Sequence, residues 1–238
     1  MIEAVFFDCW DTLLADDSSR EMRQRDHLQA VLQEYGSPLT DAEMAVLFRE
    51  EFKLFEEHII AFRKTPDAMK RTENLLELAQ ISLPLSEVVA LADFNDRIAL
   101  DCRPPVVPGI KEVLPELAMR YRMAVICNTG WHSGETVRNL LDGYGLSDAF
   151  FWLSFSDEVG VAKPHKQIFD VTLEKLRCRP ENAVHVGDSE YTDVAGAKAA
   201  NISALLFTGI NSKYKEKNSA DFVFDDYKDL ETILSKLG

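Results

Sequence analysis

Hydrophobic and polar positions follow three different patterns along this chain. Short apolar runs rich in β-branched and aromatic residues, of which residues 4–7 are the first, predict strands that are buried on both faces. Between residues 16 and 104 the apolar positions instead recur at steps of three and four, as on one face of a helix. Strand and helix patterns then alternate to the end of the chain. This order predicts an α/β fold: a Rossmann-like parallel-sheet core formed by 1–15 and 105–238, with an inserted helical cap domain at 16–104.

Local signals predict where most helices and strands lie. In the cap, Thr40 and Glu43 have the spacing of a capping box, Thr65-Pro66 predicts the start of a second helix, and a further helix is expected at about 86–100. Behind the capping box the apolar residues form one stripe along the helix: Met44, Phe48, Phe52, Phe55, Ile59 and Phe62. In the core we expect strands at 123–127, 150–155, 183–187, 202–207 and 221–224, helices at about 110–120, 133–142, 165–176 and 192–200, and a closing helix.

Composition narrows the possible partners and surroundings. The chain has 238 residues, 46% of them hydrophobic, and its 40 acidic against 26 basic residues give a formal net charge of −14. That charge argues against nucleic acid as a partner, because such a protein needs basic surface to replace counterions. No apolar run is long enough to span a bilayer, so no membrane partner is expected. The four cysteines have no zinc or CxxC spacing, which favours reduced thiols and a cytoplasmic location.

Polar side chains follow several of the predicted strands where each strand ends. They are Asp8 after the first, Asn128 and Thr129 after the second, Lys163 in the connection after the third, and Asp188 and Asp193 after the fourth. The carboxyl ends of parallel strands lie on one edge of a sheet, so these groups can meet in one crevice. On the first stretch alone, Asp8 and Asp11 could equally turn the chain out of the strand.

Three carboxylates in one crevice would repel one another, and each would be pushed towards protonation. A hard divalent cation together with Lys163 would relieve that repulsion. Magnesium prefers oxygen ligands, keeps several waters and accepts substrate phosphate oxygens. The residues therefore predict Mg²⁺ as cofactor and phosphoryl chemistry on a small anionic substrate.

Four segments in order carry a resemblance to a known family: residues 8–12 (Asp-Cys-Trp-Asp-Thr), 127–129 (Cys-Asn-Thr), 163–164 (Lys-Pro) and 187–193 (Gly-Asp-Ser through Asp). Together they resemble the four motifs of the haloacid dehalogenase (HAD) superfamily, and the likeness covers essentially the whole chain. The helical block after the first motif is similar to the C1-type cap of that family. The resemblance implies a hydrolase whose cap closes over the substrate.

The resemblance also implies roles for individual residues. Asp8 would be the catalytic nucleophile and Lys163 a second active-site residue. The metal ligands implied are Asp8, the backbone carbonyl of Trp10, Asp188 and Asp193, although Asp193 could instead orient its neighbours or pair with a helix dipole. The substrate would be held by Trp10, Cys127, Asn128, Thr129 and Arg49.

Two departures from the family pattern bear on function. In family phosphatases the residue two after the nucleophile is an aspartate that protonates the leaving group, and here it is Trp10. General acid–base help is typically worth about 10²–10⁴ in rate, so turnover is expected to be poor unless another group carries the proton. Asp11 is adjacent, but neighbouring side chains on extended backbone point opposite ways. Cys127 replaces the usual Ser or Thr of the second motif.

Trp10 also keeps a second function open. L-2-haloacid dehalogenases resemble this chain in an aromatic residue at that position, an asparagine in the second motif and a helical arginine, for which Arg49 is the candidate. Those enzymes, however, have serine where this chain has Asp188, and a carboxylate beside a metal-free nucleophile would repel an anionic substrate. Asp188 therefore favours the magnesium site.

Three hypotheses follow: a magnesium-dependent hydrolase of small phosphate monoesters, a 2-haloacid dehalogenase, and a weakly active phosphate-binding or regulatory protein. The substrate and the oligomeric state are not predicted. Among the histidines, His132 is expected at an exposed helix start, and His165 and His185 are expected to be structural.

Overall fold

A six-stranded, wholly parallel sheet forms the centre of the α/β part of the protein. The computed structural model describes residues 1–16 and 18–237, and in these the strand order is β3-β2-β1-β4-β5-β6. The strands are β1 (Ala4–Phe7), β2 (Arg122–Cys127), β3 (Trp152–Phe155), β4 (Ala183–Gly187), β5 (Ser203–Phe207) and β6 (Phe222–Phe224). The predicted α/β fold with a parallel sheet is therefore confirmed. The third strand begins later than expected, because a 3₁₀ turn at Ser147–Ala149 precedes it.

Helices occupy the remaining predicted positions with small shifts at their ends, and two further helices lie at Ser18–Glu34 and Ser156–Val159. The helices are α1 (Ser18–Glu34), α2 (Asp41–Phe62), α3 (Ala68–Ala79), α4 (Leu85–Asp101), α5 (Ile110–Ala118), α6 (Gly134–Gly143), α7 (Ser156–Val159), α8 (Lys166–Leu176), α9 (Ala195–Ala199) and α10 (Leu230–Leu237). A π-helical turn at Glu190–Val194 stands where the helix at 192–200 was expected to begin. Within the described residues, no helix is both long enough and apolar enough to cross a membrane.

The chain divides into two compact units, of which the first comprises Met1–Asp16, Pro104–Asn128 and Leu141–Gly238. Its central strand is β1, whose four residues are all fully buried. Such a strand must be apolar on both sides, since helices cover both faces of a parallel sheet. The register sets Phe7 beside both Val125 and Val186. The strands around Phe7 therefore end close to one another at the edge where Asp8 follows.

The second unit comprises Asp17–Arg103 and Thr129–Leu140. Its apolar core contains buried residues of α1 to α4, against which Trp131 packs. The capping box at α2 is present, with Thr40 Oγ1 accepting the Glu43 N–H and the Glu43 carboxylate accepting the Thr40 N–H. Because it acts between residues three apart, this motif could be found from the sequence alone. Contrary to expectation, His132 is buried and its Nδ1 lies 2.7 Å from the Asp96 carbonyl oxygen.

The apolar stripe of α2 is buried along only part of its length. Met44, Phe48 and Ile59 are buried, whereas Phe52 and Phe62 are 51% and 65% exposed. The buried face instead contains Leu47 and a charged residue, Glu51. A repeat of three and four residues identifies a helix, but it does not say how far along the helix a neighbour covers it.

The predicted start of α3 at Thr65-Pro66 is wrong. The helix begins at Ala68, and its N-cap is Asp67, whose carboxylate accepts the Lys70 N–H at 2.8 Å. Aspartate is among the preferred N-cap residues, and it lies where the helix can use it. The Thr65 hydroxyl is instead 3.2 Å from the Thr129 hydroxyl.

A buried ion pair joins α2 and α3. Arg71 Nε and Nη2 donate to the two carboxylate oxygens of Glu51 at 2.8 and 2.5 Å. The guanidinium carbon lies 4.2 Å from the Phe55 ring centroid and 4.1 Å from that of Trp131. Both charged side chains are almost wholly buried. Arginine fits this position because its planar fork can bind a carboxylate bidentately while its faces stack on aromatic rings.

We expect Arg71→Ala to destabilise the protein strongly, because the carboxylate of Glu51 would remain buried without its cation. Breaking such a pair costs about 3–5 kcal/mol, which lowers the melting temperature of a protein of this size by about 6–20 °C. Thermal unfolding followed by circular dichroism measures the change, with the exposed Arg97→Ala as the matched control. A melting temperature within about 2 °C of wild type would show that the pair contributes little to stability.

Candidate active site

Three carboxylates converge at the carboxyl edge of the sheet. Asp8 follows β1, and Asp188 and Asp193 follow β4, which is the direct neighbour of β1. One oxygen atom from each of the three lies within 4.8 Å of the others. All three residues belong to the first unit. The three carboxylates therefore lie together at the carboxyl edge of the sheet, where the sequence predicts them.

Lys163 lies among these carboxylates and is itself fully buried. Its Nζ donates to Asp8 Oδ1 at 2.5 Å and to Asp193 Oδ1 at 2.6 Å. Buried charges of this kind persist only when they are paired. The ammonium group therefore neutralises part of the negative charge and fixes the carboxylate of Asp8 in one place.

The side chain of Asp193 is held by four further features of β4 and of the segment that follows it. Its Oδ1 also accepts from His185 Nε2 at 2.9 Å, and its Oδ2 accepts from the Ser189 N–H at 3.1 Å and the Thr192 hydroxyl at 3.3 Å. A Cβ atom at Gly187 would lie 2.3 Å from the Asp193 carboxyl carbon, so only glycine leaves room for that group. Both oxygens of Asp193 are thus occupied by protein donors, which favours a role in orienting Lys163. Its role as a direct metal ligand stays a prediction.

His185 belongs to this network, although the sequence suggests only a structural role for it. Burial lowers the pKa of its imidazole, so the ring is neutral and Nε2–H is the donor to Asp193. The sequence does contain a signal for this position. His185 lies on β4 two residues before Gly187, and therefore on the same face of the strand as the residue that makes room for Asp193.

Asn128 joins the end of β2 to the backbone of Lys163. Its Nδ2 donates to the Lys163 carbonyl at 3.0 Å, and its Oδ1 accepts the Lys163 N–H at 2.8 Å. This reciprocal pair fixes the loop that carries the lysine. The amide groups of the side chain are engaged there, and contact between Asn128 and substrate stays a prediction.

Cys127, at the end of β2, is fully buried. The hydrogen bond between the Cys127 and Cys9 side chains, in which Cys127 keeps its proton, and burial raise the pKa of the Cys127 thiol well above its usual range, so it is a neutral thiol rather than a nucleophile. None of the four cysteines, all of which are described, forms a disulfide. Contact between Cys127 and substrate stays a prediction. Because the thiol is buried, we expect the backbone of Cys127 to make that contact.

Burial and neighbouring charges shift the pKa values of the three carboxyl groups in different directions. Burial raises the pKa of Asp8 to about 7, even though Lys163 acts in the opposite direction. Burial, followed by the negative charges of Asp193 and Asp8, raises the pKa of Asp188 well above its usual range. For Asp193, burial would raise the pKa, but Lys163 and the hydrogen bond from His185 outweigh it and lower the pKa. Asp8 and Asp188 therefore take up a proton more readily than Asp193, which stays ionised beside Lys163.

The loop after β1 makes a tight turn in which Trp10 and Asp11 take different positions. Asp11 has a left-handed backbone (φ 54°), and its Oδ1 accepts the Asp16 N–H at 2.8 Å. The carboxylate of Asp11 is thereby tied to its own turn. Trp10 is partly buried. At the other end of this turn Tyr227, fully buried, donates its hydroxyl to the Thr12 carbonyl at 2.7 Å.

Two predicted substrate-binding residues belong to the second unit. Thr129 is buried there and its hydroxyl lies beside that of Thr65. Arg49 is on α2 with its side chain 61% exposed, and its Nε lies 3.6 Å from a carboxylate oxygen of Glu50. The contacts of both residues with substrate stay predictions.

The residues of the cluster fit a hard divalent cation. Their donor atoms are carboxylate oxygens, the type that Mg²⁺ prefers. Lys163 compensates Asp8 and Asp193, but Asp188 has a raised pKa and no cationic partner among the described residues. A cation bound by Asp8 and Asp188 would supply the missing positive charge.

Comparison with known proteins agrees with this arrangement. Residues 2–201 match the family of haloacid dehalogenase-like hydrolases. The glyceraldehyde 3-phosphate phosphatase of Methanothermobacter thermautotrophicus is 30% identical over 246 residues, covering 98% of this chain and 100% of that protein. The enzyme of the same name from Pyrococcus furiosus is 26% identical and covers 99% and 94%. The solved structure of the 2-haloacid dehalogenase from Pseudomonas syringae pv. Tomato DC3000 covers 100% of both chains with a TM-score of 0.71 at 23% identity.

This chain therefore belongs to the haloacid dehalogenase-like hydrolase family, as the four sequence motifs indicate. It is a hydrolase, and the relatives that match its whole length make it phosphatase-like. Members of this family generally use a divalent metal, and the three-carboxylate cluster is consistent with that. The likeness to the dehalogenase structure shows the fold alone, because the identity is low.

Proposed function

We propose that this protein is a magnesium-dependent phosphatase of small phosphate monoesters, with Asp8 as the nucleophile. The observation that carries the proposal is the placement of Asp8. Its carboxylate is buried and accepts a hydrogen bond from Lys163 Nζ at 2.5 Å. It also lies close to Asp188 at the carboxyl ends of the strands. A dehalogenase that works without metal has no use for the second carboxylate, which would repel its anionic substrate.

In the first half of the proposed reaction, a carboxylate oxygen of Asp8 attacks phosphorus in line with the ester oxygen. A bond forms between Asp8 and phosphorus, the bond from phosphorus to the ester oxygen breaks, and the alcohol leaves after taking up a proton. In the second half, water hydrolyses the aspartyl-phosphate and restores Asp8. Covalent catalysis of this kind divides one difficult step into two easier ones.

The other residues of the cluster position Asp8 and neutralise negative charge. Lys163 holds Asp8 for attack, and its charge offsets that of the phosphoryl oxygens. Asp193 and Asn128 hold Lys163, and His185 in turn holds Asp193. Mg²⁺, which would be held by Asp8, Asp188 and the Trp10 carbonyl, supplies Lewis-acid neutralisation of the phosphoryl group when it is bound.

The substrate we propose to test first is glyceraldehyde 3-phosphate. It is the substrate in the names of two relatives that match nearly the whole of this chain. A small phosphate ester also suits a chain with a net charge of −14, because binding would depend on local positive charge from Lys163 and the metal rather than on the overall field.

Two product-release assays test the proposal. We expect the purified protein to release phosphate from an aryl phosphate and from glyceraldehyde 3-phosphate, and to lose this activity when EDTA is added and recover it with excess Mg²⁺. A parallel assay measures chloride release from 2-chloropropionate, with and without Mg²⁺. Phosphate release that EDTA leaves unchanged would contradict the metal requirement.

Chloride release without metal, in the absence of phosphate release, would instead establish the dehalogenase. The feature that favours this second function is Trp10, an aromatic residue at the position where family phosphatases have an aspartate. Absence of both products would favour the third hypothesis, a phosphate-binding or regulatory protein.

A further inference from the structure

Asn211 contacts the candidate metal site from a loop that has no part in the four motifs. The loop follows β5, which lies next to β4 in the sheet. Asn211 Nδ2 donates to Asp188 Oδ2 at 2.8 Å. Among the described residues, Asn211 is the hydrogen-bond donor to the side chain of Asp188.

The orientation of the Asn211 amide is fixed by a second hydrogen bond. Its Oδ1 accepts the Lys213 N–H at 3.1 Å. A backbone N–H can only donate, so the oxygen of the amide must face Lys213 and the NH₂ group must face Asp188. Asn211 therefore presents a donor, and the Asp188 oxygen it contacts must be an acceptor.

The donor lies where the carboxylate most needs one. The carboxylates of Asp8 and Asp193 lie close to Asp188, and the ammonium group of Lys163 donates to those two rather than to Asp188. Without a partner, the carboxylate could rotate away from them or take up a proton. A hydrogen bond to Oδ2 limits that rotation and leaves Oδ1, which has no hydrogen bond among the described residues, available to a cation.

We propose that Asn211 is a positioning residue that orients the Asp188 carboxylate for a divalent cation. The inference rests on the proposed magnesium-dependent function. Groups that hydrogen-bond to metal ligands fix their geometry, and losing one typically weakens metal binding by about 10- to 100-fold. Asn211 acts through Asp188 and does not touch the substrate in this role.

The test is direct binding of Mn²⁺ to the purified protein, measured from the electron paramagnetic resonance signal of the free ion. We expect Asn211→Ala and Asn211→Leu, the second of which keeps most of the side-chain volume, to raise the dissociation constant by about 10- to 100-fold. The matched control is Asn218→Ala in the same loop. Asn218 donates to the carbonyls of Tyr214 and Lys215 and accepts from the Ala220 N–H, so it supports the loop without touching the site.

Two further measurements separate positioning from a structural effect. The melting temperature in EDTA should be unchanged in the Asn211 variants, and the Mg²⁺ concentration that half-saturates phosphate release should rise by a similar factor to the Mn²⁺ dissociation constant. Unchanged Mn²⁺ affinity in the Asn211 variants, or an equal loss in Asn218→Ala, would overturn the inference while the proposed function stands. Failure of the wild-type protein to bind Mn²⁺ would overturn the metal-dependent function and this inference with it.

Discussion

Asp8→Asn abolishes phosphate release, with an expected loss of at least about 10³-fold in kcat. An amide is a poor nucleophile and carries no charge, whereas the oxygen of the introduced amide can still accept a hydrogen bond from Lys163. The geometry of the cluster is thus largely kept while the attacking group is lost. Phosphate release from an aryl phosphate with Mg²⁺ measures the effect.

Asp170→Asn is the matched control for this substitution. Asp170 is an exposed aspartate on α8 that pairs with Lys166, so its change tests the loss of one carboxylate away from the site. We expect the control to have wild-type activity. A wild-type protein quenched in acid during turnover should also carry one phosphate on Asp8, detectable by mass spectrometry of the digested protein. An active Asp8→Asn variant would rule out Asp8 as the nucleophile.

Trp10→Asp is expected to raise kcat for phosphate esters by about 10²–10⁴, the usual contribution of a general acid–base group. The backbone at this position is already formed, and the tight turn of the loop after β1 is fixed by other residues. Asp11 Oδ1 accepts the Asp16 N–H in that turn, so we do not expect Asp11 to take over the missing function. The new carboxyl group could give a proton to the leaving alcohol and later take one from water.

Trp10→Asn is the control, because it makes the same change in size without a group that can carry a proton. A gain in Trp10→Asp that Trp10→Asn does not share identifies proton transfer as its cause. Equal gains in both would show that the indole simply obstructs the site. No gain in either would mean that some other group already carries the proton, and that Trp10 serves another purpose.

The sheet and the three carboxylates were accessible from the sequence because both depend on local patterns. Each buried strand is a short apolar run, and Asp8 and Asp188 each follow such a run directly. In a parallel sheet that is enough to place Asp8 and Asp188 on one edge. Nothing beyond the order of strands and helices is needed for that inference.

The hydrogen bonds that hold the site were not accessible in this way. Asn211 and Asp188 are far apart along the chain, and neither residue type nor spacing marks them as partners. The same is true of Arg71, whose burial against Glu51 depends on how two helices pack. At Thr65-Pro66 a valid local signal competed with a stronger one at Asp67, and the hydroxyl was used elsewhere. Tertiary contacts decide such cases.

The bond between Tyr227 and the Thr12 carbonyl joins positions 215 residues apart in the sequence. During synthesis the loop that carries Asp8 is therefore made long before the residue whose hydroxyl bonds to it. All four residues of β1 are apolar, and its neighbour β4 is synthesised much later. Until then the exposed apolar side chains of β1 must be covered by collapse of the growing chain or by chaperones. A nascent or proteolysed chain that ends between residues 194 and 226 contains all four motifs but lacks this hydrogen bond to the loop that carries Asp8.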